Sequence, residues 1–128
     1  MSDPDHPESW LAKAENDLLC IRNNLDNERI PWDAMCFHAQ QAAEKMLKAC
    51  LVSVGLTAPR THDLLFLFRQ CLDAGLDLHL IEMDCRFLNP FAIVARYPTG
   101  PEPSESDGRE AIRAAEQVRT VVRAHFAK

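Results

Sequence analysis

The chain has no excess of positive charge: 14 lysines and arginines face 19 aspartates and glutamates, for a net charge of −5. That excludes a protein whose whole surface grips nucleic acid and leaves room only for a local basic patch. No apolar run reaches the length of a membrane span, and early acids such as Asp3, Asp5 and Glu8 are unlike a secretory signal. The five cysteines, Cys20, Cys36, Cys50, Cys71 and Cys85, form no C-x-x-C pair, and each falls among apolar neighbours. A thiol there behaves as a small hydrophobe, so we expect a reducing cytoplasm, no structural disulfide, no metal site and no cofactor. Alternation of apolar and polar residues is absent, which argues against a sheet. There is no internal repeat and no low-complexity tract.

What recurs instead is the helical period. The 128 residues fit one domain, residues 1–128, and bury roughly two thirds of their unfolded surface. Trp10, Leu11, Ala14, Leu18, Ile21 and Leu25 form one stripe of a first helix starting near Glu8. A second helix runs from Trp32 or Asp33 to a cap at Gly55, with Met35, Cys36, Ala39, Ala42, Ala43, Met46, Leu47, Cys50 and Val54 on one broad arc. A third carries Leu64, Leu65, Leu67, Phe68, Cys71 and Leu72, with Thr61 expected as its N-cap and Asp63 in its first turn. A fourth begins between Leu78 and Leu80, and Pro90 should kink or divide it at Asn89. After the loop "YPTGPEPSES" a last helix follows, for which Asp107 and Glu110 fit a capping box. Its stripe is Ala111, Ile112, Ala115, Val118, Val122 and Phe126. The expected fold is all-α, an up-and-down antiparallel bundle of four to five helices. Phe37, Phe66, Phe87 and Phe91 are expected to pack inside it. Trp10 and Trp32 flank helix starts, and one is a candidate dimer contact.

The polar side of the second helix carries the candidate chemistry. His38, Gln41, Lys45 and Lys48 follow one another at steps of three, four and three residues, which sets them in a row. An imidazole, an amide and two ammoniums could line an anion or nucleotide groove. The same residues equally fit a solvated face in which Glu44 and Lys48 make an ordinary salt bridge. His62 sits where the third helix starts, and helix N-termini favour anions; Thr61 and Asp63 could also simply cap that helix.

Three stretches, "FHAQQAAEKMLKACLVSVGL", "PRTHDLLFL" and "LNPFAIVARYP", together with the opening "SWLAKAENDL", resemble the HEPN domain family in order and spacing across almost the whole chain. The resemblance implies a helical bundle, commonly a homodimer, in which His38, Gln41 and Lys45 occupy characteristic positions. It further implies a small stand-alone binding module that pairs with a nucleotidyltransferase-type partner or binds a nucleotide or RNA. The alternative it offers is a metal-independent ribonuclease toxin of a toxin–antitoxin system. In that branch an arginine, often followed by a polar residue, and a histidine four to six residues further on do the chemistry. The arginine holds the phosphate and the histidine moves protons. Arg119, Thr120 and His125 satisfy that pattern formally, but they lie in the final turns, and six residues of helix turn the two side chains about 120° apart. Arg96 and Tyr97 are similar to the family's Arg-Tyr-Pro element. Arg96 could bridge to Asp63 or Glu44 within the bundle, or serve a ligand.

Overall fold

The computed structural model describes residues 3–93 and 100–128. Among them are five α-helices and no strand: α1 (Pro7–Leu25), α2 (Trp32–Ser53), α3 (Leu64–Asp73), α4 (Glu82–Leu88) and α5 (Glu105–Phe126). They pack as an antiparallel bundle. Arg96 and Tyr97 lie outside the described residues. No described helix is long and apolar enough to cross a membrane.

The bundle is built around α2. Ala39, Ala42, Ala43 and Ala49 are fully buried, as are Met35, Cys36, Leu47 and Cys50. Side chains this small let neighbouring backbones approach closely, and α1 and α5 both lie along α2. From α1 come Ala14, Leu18 and Ile21, and from α5 Ala111, Ala114, Ala115, Val118 and Val122. The expected stripes are therefore the core, with exceptions at their margins. Val54, Phe66 and Leu72 were expected to pack and are 42%, 44% and 40% exposed. Each sits at a helix end or at the edge of an arc, where no further layer covers it.

The helix ends follow local chemistry. After α2, Gly55 adopts φ 89°, and the amides of Gly55 and Leu56 donate to the carbonyls of Val52 and Leu51. This left-handed cap satisfies carbonyls that have no partner within the helix. The cap of α3 differs from expectation. Asp63, not Thr61, is the N-cap and accepts from the amides of Leu65 and Phe66, while the Thr61 hydroxyl accepts from the Asp63 amide. At α5 the capping box is Ser104 with Asp107, three residues upstream of the pair expected from sequence, with both reciprocal bonds at 3.0–3.1 Å. Pro90 does divide the fourth helix. α4 is preceded by one 3-10 turn, His79–Ile81, and ends at Leu88, where a second such turn, Asn89–Ala92, takes over.

Candidate functional site

A carboxylate on α1 and another on α2 organise the polar side of the second helix. Asp17 is buried in α1 and receives both His38 Nδ1, at 2.9 Å, and Lys45 Nζ, at 2.6 Å. Glu44, one turn along α2, receives Lys48 Nζ at 3.0 Å and His62 Nδ1 at 2.8 Å. Gln41 belongs to the Glu44 set, donating to the side-chain oxygens of Gln40, at 2.7 Å, and Glu44, at 3.4 Å. Gln40 is fully buried and donates to the backbone carbonyl of His62 at 2.9 Å. The expected row is thus a ladder of two clusters along α2: His38 and Lys45 on Asp17, and Gln41 and Lys48 on Glu44, to which His62 is drawn from the segment before α3.

This is not a wet helix face. The Glu44–Lys48 pair exists, but its side chains are only 4% and 7% exposed. Lys48 also lies 5.3 Å from the centre of the Trp10 ring, which covers it from α1. A helix flanked on several sides buries more than its apolar arc, so Gln40, Glu44 and Lys48 form a buried polar column beside the alanines. Such a column is tolerated because every member is paired: no buried side-chain nitrogen or oxygen among the described residues is without a hydrogen-bond partner.

Two carboxylates balance two ammoniums, so the ladder is neutral when both imidazoles are neutral and gains one positive charge for each that is protonated. An ionised carboxylate only accepts, so Nδ1 carries the proton in His38 and in His62. In the neutral rings Nε2 is then left as the basic nitrogen. The His62 side chain is 63% exposed and that of His38 29%, which makes each the solvent-facing edge of its cluster. No group of three histidine, cysteine or acidic residues able to hold a metal occurs among the described residues.

The amides at the start of α3 are already occupied. That of Leu64 donates to Asn89 Oδ1 at 2.8 Å, those of Leu65 and Phe66 to Asp63, and that of Leu67 to the Asp63 carbonyl. Anion recognition near His62 would therefore fall to side chains rather than to the helix end.

Arg119 and His125 point to different neighbours. Arg119 Nε donates to Glu15 Oε1 of α1 at 2.7 Å. His125 Nε2 lies 3.0 Å from the Ser53 hydroxyl at the end of α2, and that hydroxyl donates its one proton to the Cys50 carbonyl at 2.6 Å. The imidazole must then be the donor to Ser53, which prevents it from acting as a base on that hydroxyl. Partial burial, and then the charge of Lys128, hold the His125 pKa below its ordinary value, so the ring is neutral at pH 7.

Sequence reasoning missed Asp17 and Gln40. The signal was present: Asp17 sits between Ala14 and Ile21 on the apolar stripe of α1, at steps of three and four. A carboxylate on a buried stripe requires a partner, which here is Lys45. Gln40 likewise follows Cys36 by four residues and precedes Ala43 by three.

Comparison with known proteins gives a match to the HEPN domain over residues 7–125. No curated protein matches. Among solved structures the chain is similar to TT1696 from Thermus thermophilus, at 24% identity and a TM-score of 0.79, over 92% of this chain and 96% of that one. At that identity the likeness speaks for the fold alone.

Proposed function

Because the chain belongs to the HEPN domain family, we propose that it acts as a non-catalytic helical binding module. In this reading it is a homodimer that pairs with a nucleotidyltransferase-type partner or binds a nucleotide or nucleic acid. The carrying observation is the ladder: along one helix face Asp17 holds His38 and Lys45, and Glu44 holds Gln41, Lys48 and His62, with two imidazole edges open to solvent. A preorganised row of donors that becomes positive on protonation suits an anionic group of a ligand or partner. Arg96 belongs to this proposal as a further phosphate-binding candidate. Calorimetric titration with nucleoside triphosphates and pull-down from the native host test it. We expect binding in at least one assay, weakened about tenfold by His62→Ala, the loss of one charge-assisted hydrogen bond. No heat and no partner would remove the proposal.

A second reading, the metal-independent ribonuclease, is favoured by one observation: the bond from His125 Nε2 to Ser53 fixes the tautomer and leaves Nδ1 as the nitrogen able to accept a proton. It predicts RNA cleavage in EDTA that disappears in His125→Ala. Cleavage that survives that change but disappears in His38→Ala would move the chemistry to α2.

A further inference from the structure

A cleft of about 380 Å³ opens between α1 and α5 and shares no lining residue with the polar ladder. Its floor is apolar: Met46 and Val122 are almost completely buried, and Leu11 and Phe126 form its walls. Glu15, Arg119 and Arg123 also line it. The two guanidiniums converge on a single carboxylate oxygen, Glu15 Oε1, at 2.7 and 3.2 Å. Two cations against one anion leave one net positive charge beside an apolar hollow. Each guanidinium gives Glu15 only one of its five N–H donors, and the planar fork of an arginine matches a carboxylate.

The volume lies within the range of small-molecule sites, which are mostly apolar with a few placed polar groups. The chemistry of the lining narrows the occupant. A nucleoside polyphosphate would bring several negative charges to a site with one to offset, and its base edges would find no donors on the floor. An amine would meet two arginines. We propose that this cleft binds a small monoanion with an apolar body, of the medium-chain carboxylate type. Its tail lies over Met46 and Val122, and its carboxylate is held by Arg123 and Arg119.

The proposal stands independently of the ladder and its ligand. Calorimetric titration of the full chain with butanoate, hexanoate, octanoate and octylammonium tests it. Burial of the tail predicts affinity rising about fourfold per methylene along the carboxylates. Octylammonium should bind at least tenfold more weakly than octanoate, and Arg123→Gln should weaken octanoate about tenfold. Ala12 is an exposed residue of the lining. Ala12→Phe should therefore obstruct the cleft without disturbing the core, with helicity checked by circular dichroism. Chain-length dependence together with loss in both variants supports the cleft. Absence of octanoate binding, equal binding of the amine, or indifference to both substitutions overturns it, whatever nucleotides do.

Discussion

Gly108 sits in the first turn of α5 with the indole of Trp32 against it. A Cβ built there would lie 2.4 Å from Trp32 Cε3, while Arg109 lies over the same ring, 5.0 Å from its centre. Replacing a helical glycine by alanine ordinarily stabilises by about 1 kcal/mol. Here the clash opposes that gain, and forced overpacking costs about 1–3 kcal/mol. Gly108→Ala should therefore lower stability in urea unfolding. In a Trp32→Ala background the same substitution should become neutral or stabilising, and an unchanged sign would refute the contact. The five thiols are a second test at this scale. Burial pushes Cys36, Cys50, Cys71 and Cys85 up to about 12, whereas Cys20 is exposed. A colorimetric thiol reagent should titrate one cysteine quickly in the folded protein and the other four only on unfolding, and Cys20→Ser should abolish the fast phase. The burial of four of the thiols was legible from their apolar neighbours; the same reading was wrong for Cys20, which lies on the exposed side of α1. The need for glycine at 108 was not, because it arises from a ring more than seventy residues away in sequence.

At the scale of the helix, α2 shows where periodicity stops being informative. Spacing alone identified its apolar arc, its end at Gly55 and the row from His38 to Lys48. It left open whether Glu44 and Lys48 line a groove or a solvated face and did not foresee their burial, because a periodic pattern describes the faces of one helix and not the neighbours that cover them. Trp10 and the segment carrying His62 supply that cover. The caps of α3 and α5 were misplaced for a related reason. Thr61 and Asp63, or Ser104 and Asp107, each offer an acceptable capping residue, and the choice depends on where Asn89 and Trp32 hold the helix. Burial makes the energetic prediction sharp. Glu44→Ala leaves the Lys48 ammonium buried without its carboxylate and should cost about 3–5 kcal/mol. Glu44→Leu combined with Lys48→Met removes both charges and should cost much less, because a buried pair is weakly stabilising relative to well-packed apolar groups. A double variant as unstable as Glu44→Ala in chemical denaturation would show that the pair itself, rather than the orphaned charge, carries the stability.

For the molecule as a whole, the ends of the chain are joined by Glu15, which ties α1 to α5 across more than a hundred residues. Partial burial pushes its carboxyl up, but hydrogen bonds from Arg119 and Arg123, with their charges, outweigh this and hold its pKa below the ordinary 4.5. A carboxyl lowered in the folded state contributes stability that is complete above the ordinary value. That stability is lost as pH falls through the lowered one. His125 acts earlier in the same direction. Burial makes the folded ring resist protonation, so the unfolded ring takes up its proton first as pH falls through 6.5. At the alkaline side, the four buried thiols keep protons that the unfolded chain releases near 9.0, so stability declines again as pH rises past that point. Stability should therefore be greatest between about pH 7 and 9 and fall in two steps toward acid, the first from His125 and the second including Glu15. Urea midpoints measured across pH would resolve this. His125→Asn should flatten the decline just below neutrality, and Glu15→Gln should lower stability at pH 7 while making the limb below pH 4.5 shallower. If both variants kept the slopes of the parent, neither Glu15 nor His125 would govern the acid response, and the closure of α1 on α5 would depend on apolar packing alone.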